Sequence, residues 1–256
     1  MIRPDYPIRV SAVSYINSFP FIHGLMNHSV LNQIDLSLDP PSKCAEKLIG
    51  GQVDVGLIPI ATIPLVKNAK VFTPYCIGAD GPVESVCLYA DCELGQIKKV
   101  LLDPESRTSV RLAQILAKSH WNIQPEWVNC NPGFEKEIKG TTAGVVIGDR
   151  AFKLNETGLK RWDLSEKWKE MTGLPFVFAT WVSNRSLSRE FVSLFNEALE
   201  NGLNNRLIAI AEMLPDTMNP KPFQQYVDEL IKYDLNDPLQ QGMNKFLDMM
   251  NTLANR

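Results

Sequence analysis

The sequence predicts an α/β fold made of two lobes. Short apolar strands alternate with helical stretches over the first 180 residues, which is typical of α/β proteins. After about residue 187 the apolar residues recur at helical spacing only, which indicates a C-terminal helical segment. Two long β-rich segments, VESVCLYA (Val83–Ala90) and PFVFATWV (Pro175–Val182), bracket a middle block that has its own alternation of strands and helices.

These two β-rich segments indicate where the chain passes between the lobes. If both are crossover strands, residues 1–86 and 183–256 form lobe 1, residues 87–182 form lobe 2, and a ligand cleft lies between them. This layout is typical of two-lobed binding proteins. An insertion into a single sheet would give a similar pattern, so that alternative stays open.

The individual elements follow from hydrophobic periodicity and from turn residues. Apolar runs bounded by turn residues predict strands at Arg9–Ser14, Asp35–Leu38, Val53–Ile58, Val83–Tyr89, Val100–Asp103, Glu126–Val128, Ala143–Ile147 and Phe176–Val182. Helices are predicted between them at Phe21–Asn27, Ser42–Ile49, Thr108–His120 and Leu164–Glu170. Three later apolar stripes predict core-facing helices, through Phe191, Leu194, Phe195, Ala198 and Leu199, through Phe223, Tyr226, Val227, Leu230 and Ile231, and through Leu239, Met243, Phe246 and Met250.

Composition excludes several classes of function. The chain has 256 residues, 45% of them hydrophobic and 21% charged, with a net charge of −3 and no long basic run, so nucleic acid is not an expected partner. No apolar stretch is long enough for a membrane span, and MIRPDYPIRV has no features of a secretory signal, so we expect a cytoplasmic protein. The five cysteines and three histidines lack metal-ligand spacing, which favours reduced thiols and no metal site.

In open α/β sheets, ligands bind at the carboxyl ends of the strands. The first such end is VSYINSFP, where a strand gives way to a helix that starts near Pro20. Its three polar side chains, Ser14, Asn17 and Ser18, exceed what capping one helix requires. An N-cap or Asx turn remains the alternative for each of them. We expect Ser14 and Tyr15 to line the cleft and Ser18 to cap the helix.

Two further strand ends carry candidate residues. VDVGLIPI predicts a buried strand in which Asp54 has a structural role and bonds to neighbouring backbone, while Ile58 and Pro59 present an apolar wall and unbonded backbone groups to the ligand. In GADGPVESV, Ser85 is predicted just inside the first crossover strand. An ordinary strand serine is the alternative there.

The strongest physical signal is LLDPESRTSVRLAQIL. An apolar strand ends at a proline, and Arg107, Thr108 and Ser109 then open a helix. A guanidinium, two hydroxyls and unbonded N–H groups at the positive end of a helix form a site for a carboxylate or phosphate. Capping of the helix by Ser106 or Thr108 is the structural alternative. The sequence GxxxxGK[ST] of nucleoside triphosphate sites is absent.

The last candidate end is AGVVIGDRAF. Gly148 would let a ligand approach the backbone, and Asp149 could cap a helix or accept a ligand hydroxyl. Arg150 could pair with Asp149 or Asp103 instead of reaching a ligand. The chain contains no GxSxG, no HExxH and no carboxylates at acid–base spacing, so an enzyme built on it would work by positioning and hydrogen bonding.

With these motifs in view, the sequence resembles the chorismate dehydratase family of the futalosine route to menaquinone. The resemblance covers most of the chain to about residue 183 and then the C-terminal helices. It runs through VSYINSFPF, PSKCAEKLIGGQVDVGLIPI, GPVESVCLYA, LDPESRTSVRLA, VVIGDRAF, DLxxxW, TGLPFVFATWV and YVDELIKYDLNDPLQQGMNKFL.

The resemblance implies a periplasmic-binding-protein type II-like fold used as a cytoplasmic enzyme. It implies dehydration of the dicarboxylate chorismate to 3-[(1-carboxyvinyl)oxy]benzoate, a lyase reaction for which no cofactor is expected. Asn17 and Ser85 match the positions that we carry over as catalytic. Two alternatives stay open: the sister family that makes 1,4-dihydroxy-6-naphthoate, and a non-catalytic solute-binding protein for a small carboxylate.

Overall fold

A computed structural model of the chain describes residues 7–254. The outermost residues of the predicted lobe 1, 1–6 and 255–256, lie outside that range. The strands are β1 (Ile8–Val13), β2 (Ile34–Asp39), β3 (Val55–Pro59), β4 (Lys70–Ala79), β5 (Val86–Ala90), β6 (Lys99–Leu102), β7 (Glu126–Asn129), β8 (Thr142–Ile147), β9 (Lys160–Asp163), β10 (Phe176–Ser183) and β11 (Ile231–Asp234). The α-helices are α1 (Phe19–Met26), α2 (Pro41–Ile49), α3 (Thr108–Leu116), α4 (Asp149–Leu154), α5 (Leu164–Thr172), α6 (Arg189–Asn204), α7 (Arg206–Met213), α8 (Lys221–Gln225) and α9 (Asp237–Ala254).

The chain divides into two compact units, each with its own sheet. Residues up to Ile77 and Ala179–Leu235 form the first unit, with strand order β11-β4-β10-β3-β1-β2. Gly78–Phe178 and the chain from Asn236 onward form the second, with strand order β7-β6-β8-β5-β9. The predicted α/β class is therefore confirmed, while the cleft expected between the lobes stays a prediction.

In the first unit, β3 lies between β1 and β10 and every residue of it is buried, which explains its uninterrupted apolar sequence. Helices α1 and α6 are in direct backbone contact at Gly202, which has no side chain. A Cβ atom there would collide with the carbonyl oxygen of Pro20 in α1. Phe21 of α1 fills the core beside the sheet, with its ring edge-on to Trp181 and Tyr233 at centroid distances of 6.0 and 5.3 Å.

In the second unit, the last helix packs against the sequence that leads into β10. The Trp168 ring meets those of Phe176 and Phe246 edge-on, at 5.4 and 6.3 Å between centroids. The absence of a side chain at Gly242 of α9 lets the helix approach the Pro175 carbonyl closely. The sequence predicts that all the C-terminal helices lie in lobe 1, but α9 belongs to the second unit, where this aromatic cluster holds it.

The first crossing between the units is not where the sequence indicated. The chain passes from the first unit to the second inside β4, between Ile77 and Gly78, whereas β5 lies wholly in the second sheet. The predicted strand from Val83 fails because Glu84 has a φ of 64°, which interrupts an extended chain. The later division between the units falls inside β10, between Phe178 and Ala179.

One other prediction is corrected: the C-terminal segment is not purely helical, since Ile231 begins the edge strand β11 rather than ending a helix. The predicted helix Thr108–His120 is confirmed, because a π-helical turn, Ala117–Trp121, continues α3 until Asn122 adopts a left-handed conformation. Within residues 7–254, no helix is long and apolar enough to cross a membrane.

Candidate functional site

In the first unit, the ends of three parallel strands place candidate residues at one sheet edge. β1 runs parallel to β2 and β3, so Ser14, Asp39 and Pro59 share this edge. The N–H of Ser14 donates to the carbonyl of Asp39 at 3.1 Å, which ties the exposed turn after β1 to the end of β2. Tyr15 is half-buried and has extended backbone angles before the short 3-10 turn Ile16–Ser18.

Asn17 lies in that turn, half-buried, and three hydroxyl groups bond to it. Tyr233 donates to its backbone carbonyl at 2.9 Å, its side-chain amide donates to the Tyr226 hydroxyl at 3.4 Å, and Ser18 donates to its side-chain oxygen at 3.2 Å. The expectation that Ser18 caps α1 is wrong, because its side chain makes no capping hydrogen bond and turns to Asn17 instead.

The other candidates of this edge are more enclosed than predicted. Ile58 is fully buried and Pro59 is buried with it. The carbonyl of Pro59 accepts the Thr62 hydroxyl at 2.6 Å, so the prediction of unbonded backbone groups is wrong at this oxygen. Asp54 is structural as predicted: it accepts the N–H of Arg9 at 3.0 Å and pairs with the Arg9 guanidinium.

A half-buried polar cluster supports the end of β2. The Asp39 carboxylate accepts hydrogen bonds from Ser11, Ser37 and Lys47 at 2.8, 3.0 and 2.5 Å. Burial raises the pKa of this carboxyl, but these donors outweigh it and hold the pKa below its usual value. Because the backbone of Asp39 also bonds Ser14, the cluster fixes the strand end on which the turn after β1 rests.

The second unit gathers its own candidates at a single edge. Strands β6, β7 and β8 are parallel and end there, and β5, antiparallel to β8, begins there. Ser85 is buried in a bend just before β5, not inside a strand as predicted, and its carbonyl accepts the N–H of Gly148 at 2.8 Å. Gly148 has a φ of 65° and precedes α4, which Asp149 begins.

Asp163 holds the segment that leads to Ser85. One carboxylate oxygen accepts the N–H groups of Val83 and Glu84 at 2.8 and 2.6 Å, and the other accepts two N–H groups that begin α5. Burial raises the pKa of Asp163, while the four backbone donors oppose that shift. An aspartate three residues before a glutamate at a helix start is a capping signal, so the sequence carries a cue for this residue.

At the start of α3, the hydroxyl groups are occupied within the protein. Ser106 accepts the N–H of Ser109 at 3.2 Å, and Thr108 donates to the Phe178 carbonyl at 3.1 Å. Arg107 is exposed. Its side chain lies beside a cavity of about 420 Å³, also lined by Leu102, Asp103, Pro104, Ser106, Val110, Arg111, Gln114, Trp127 and Asn129. Capping by Ser106 accounts for part of this motif, and ligand binding by Arg107, Thr108 and Ser109 stays a prediction.

Arg150 pairs with protein carboxylates rather than pointing to a ligand. It contacts both oxygens of Asp103 at 2.8 and 2.7 Å, Glu135 at 2.8 Å and Glu105 at 3.3 Å. The Asp103 side chain is fully buried, and burial raises its pKa despite the opposing effect of Arg150. This pair fixes the end of β8 to the end of β6, because Asp103 also accepts the N–H of Ile147.

Each unit therefore brings its own predicted residues together: Ser14, Tyr15, Asn17, Ile58 and Pro59 in the first, and Ser85, Arg107, Thr108, Ser109, Gly148 and Asp149 in the second. Sequence reasoning missed Asp39 and Asp163 as supports, and Tyr226 and Tyr233 as partners of Asn17. Among residues 7–254, no group of three or more histidine, cysteine or acidic side chains could hold a metal ion.

Comparison with known proteins gives the family. A family model described as menaquinone biosynthesis matches residues 8–252. The chain belongs to this menaquinone biosynthesis family. A curated family relative from Thermus thermophilus, named chorismate dehydratase, is 27% identical over 231 residues, which span 82% of this chain and 84% of the relative. Another chorismate dehydratase, from Campylobacter jejuni, is 24% identical over 250 residues, or 92% and 94% of the two chains.

Solved structures confirm the fold expected for this family member. A protein from Archaeoglobus fulgidus superposes with a TM-score of 0.77 at 15% identity, covering 98% of this chain and 99% of that one. A Candida albicans protein, described as having the generic periplasmic binding protein fold, gives a TM-score of 0.64 at 12% identity, with 97% and 91% covered. The chain therefore has a periplasmic-binding-protein-like fold, as its resemblance implied.

Proposed function

We propose that this protein is a chorismate dehydratase, a hydro-lyase that converts chorismate to 3-[(1-carboxyvinyl)oxy]benzoate in menaquinone biosynthesis. The observation that carries the proposal is the match of the menaquinone biosynthesis family over residues 8–252, together with two curated chorismate dehydratases that align with 82% and 92% of the chain. The five unpaired cysteine thiols support a reducing, cytoplasmic location.

The proposed reaction suits a site made of amides and hydroxyls. A proton leaves the ring carbon that bears the ether, the hydroxyl leaves the neighbouring carbon as water, and the electron pair of the broken C–H bond completes the aromatic ring. Because the aromatic product makes the elimination strongly favourable, the protein has to orient the ring and stabilise departing charge more than it has to supply a strong base.

Asn17 is our first catalytic assignment. A carboxamide has two N–H groups and two acceptor positions, and the described contacts of Asn17 use one of each. We assign the other N–H to the departing hydroxyl, where negative charge develops. We assign Ser85 to the opposite edge of the ring as a hydrogen-bond donor or proton relay.

The remaining assignments concern binding. Arg107 would hold a substrate carboxylate, with Thr108 and Ser109 beside it at the start of α3. The lining would come from Ser14, Tyr15, Ile58, Pro59, Gly148 and Asp149. For the base we propose the side-chain carboxylate of chorismate itself, which predicts that kcat is constant between about pH 6 and 8, since carboxylates titrate near pH 4. A single ionisation in that interval would instead require a protein base.

A non-catalytic solute-binding protein is the second candidate, because solved structures with this fold include a periplasmic aliphatic sulphonate binding protein from Escherichia coli, with a TM-score of 0.57. Incubation of the purified protein with chorismate, followed by mass and ultraviolet absorbance, separates the two. Loss of one water with the appearance of a benzoate spectrum supports the dehydratase. Bound but unchanged chorismate supports the second candidate, and chorismate that is neither bound nor changed contradicts both.

Variants test the assigned roles. Asn17→Ala should lower kcat by about 100-fold or more, the usual cost of removing a donor from developing charge, with a smaller effect on binding. Ser85→Ala should also act on kcat, whereas Arg107→Ala should act mainly on KM. Asn32→Ala, which changes an exposed asparagine in a different 3-10 turn, is the control and should leave both constants unchanged. Near-normal turnover in Asn17→Ala would remove Asn17 from the mechanism.

A further inference from the structure

Two tyrosines from the C-terminal part of the first unit reach Asn17. Tyr226 begins a π-helical turn after α8, and Tyr233 lies in the edge strand β11. They are 209 and 216 positions away from Asn17 in the sequence. Both side chains are buried, with exposed fractions of 4% and 9%. Their hydroxyl groups are therefore held by the protein interior at the turn that carries the proposed catalytic amide.

Tyr233 fixes the backbone of the turn. Its hydroxyl donates to the carbonyl of Asn17 at 2.9 Å. Its ring packs edge-on against Phe21 of α1 at 5.3 Å between centroids, so the hydroxyl has little freedom to move. Burial raises the pKa of Tyr233 well above its ordinary value, so the hydroxyl keeps its proton and remains a donor throughout the physiological pH range.

Tyr226 acts on the side chain instead. Its hydroxyl accepts an N–H of the Asn17 carboxamide at 3.4 Å, a long hydrogen bond, while Ser18 donates to the carboxamide oxygen at 3.2 Å. Contacts at both ends of a planar amide define its plane as well as its position. Without these contacts, the half-buried side chain of Asn17 would sample several rotamers.

We propose that Tyr226 and Tyr233 are positioning residues for Asn17, with Tyr226 orienting the carboxamide and Tyr233 holding the turn beneath it. The inference rests on the proposed function, in which the Asn17 amide meets the departing hydroxyl. The inference also gives the C-terminal segment a role in that function. This segment contains neither of the two assigned catalytic residues, but it sets the geometry of Asn17.

Kinetics of Tyr→Phe variants test the proposal, because the change removes only an oxygen. Tyr226→Phe should lower kcat threefold to tenfold, the effect of about one hydrogen bond, with less than a twofold change in KM. Tyr233→Phe should lower kcat at least as much. Tyr75→Phe is the matched control: its ring also packs on Phe21, at 6.2 Å, and it should stay within twofold of the wild type.

The decisive comparison is made in the Asn17→Ala background. If Tyr226 acts through Asn17, Tyr226→Phe causes no further loss of turnover once the carboxamide is absent. Losses that multiply in the double variant would overturn the proposal, because Tyr226 would then act independently of Asn17.

A second measurement does not depend on activity. The two side-chain N–H signals of Asn17 in nitrogen-15 NMR spectra are assigned as the pair that disappears in Asn17→Ala. We expect restricted motion of this amide in the wild type and in Tyr75→Phe, and increased motion in Tyr226→Phe. Unchanged motion in Tyr226→Phe would overturn the positioning role. If chorismate is not dehydrated but the amide loosens as expected, the proposed function fails while the positioning role stands.

Discussion

Replacing Arg150 by methionine tests the buried pair at the edge of the second sheet. The change leaves the fully buried Asp103 carboxylate without the Arg150 Nη2 group that contacts both of its oxygens, although the N–H groups of Glu105 and Ile147 still bond to it. Removing one partner of a buried ion pair costs about 3–5 kcal/mol. Because Arg150 is 30% exposed and two backbone donors remain, we expect a loss of about 3 kcal/mol at neutral pH, or roughly 6–12 °C in Tm.

The loss should depend on pH in a direction fixed by Asp103. The folded protein already raises the pKa of this carboxyl through burial, so the native state holds the proton more tightly than the unfolded chain does. The contribution of Asp103 to the free energy of unfolding is therefore greatest below the ordinary carboxyl pKa, and it is lost as the pH rises through the raised pKa. Without Arg150, which lowers this pKa, the fall extends to higher pH. The difference between variant and wild type should be small near pH 4 and should grow as the pH rises.

Thermal unfolding followed by circular dichroism between pH 4 and 8 measures the difference in Tm between Arg150→Met and the wild type. Asp103→Asn in the Arg150→Met background should recover part of the loss at pH 8, because a neutral amide is less costly to bury. Arg161→Met, which removes an exposed arginine of β9, should shift stability by less than about 0.5 kcal/mol. A Tm for Arg150→Met within 2 °C of the wild type at pH 8, or a loss equal at pH 4 and 8, would refute the reasoning.

Three further outcomes are expected. Asp163→Ala leaves four backbone N–H groups without their acceptor and should cost about 3 kcal/mol in denaturant unfolding, together with a lower rate of chorismate conversion. Gly202→Ala should cost about 3 kcal/mol by forcing α6 away from α1, whereas Gly95→Ala, whose side chain would meet open space, should be nearly neutral; equal stabilities would contradict the close helix contact. A thiol reagent should modify Cys92 and Cys130 in the native protein and the other three cysteines only on unfolding, because those three side chains are fully buried and out of the reagent's reach; rapid modification of all five would contradict this.

The sequence predicts most of the fold because hydrophobic periodicity reports burial directly. The all-apolar β3 and the stripe of α6 are examples, since each faces a core. β4 escaped prediction because Pro74 and Gly78 break its pattern. The proline has no N–H to donate, but its carbonyl still accepts the N–H of Leu235 at 2.8 Å. β11 escaped because its apolar residues continue the spacing of the preceding helix, and only pairing with β4 makes it a strand.

The placement of Ser14 and Asn17 after a strand was predictable, but the residues that support them were not. Ser14 and Asn17 follow β1 directly, so local sequence was enough to place them at the strand end. The apolar stripe predicts Tyr226 as a core residue, and no motif points to Tyr233. A tyrosine in an apolar pattern gives no sign of which residue its hydroxyl contacts. That information depends on the folded path of a chain segment more than 200 positions away.

The hydrogen bonds of Asp39, Asp103 and Asp163, which lie at strand ends, explain why none of these three carboxylates is a good candidate for the catalytic base. The Asp39 carboxylate accepts three side-chain hydrogen bonds and its pKa is lowered, which makes it a weak base. Asp103 and Asp163 have raised pKa values, but each accepts several hydrogen bonds from groups that define the fold. To take a proton, either would have to give up contacts that hold strand ends in place. These carboxylates therefore hold the strand ends in place. This role is consistent with the proposal that the base is a carboxylate of the substrate.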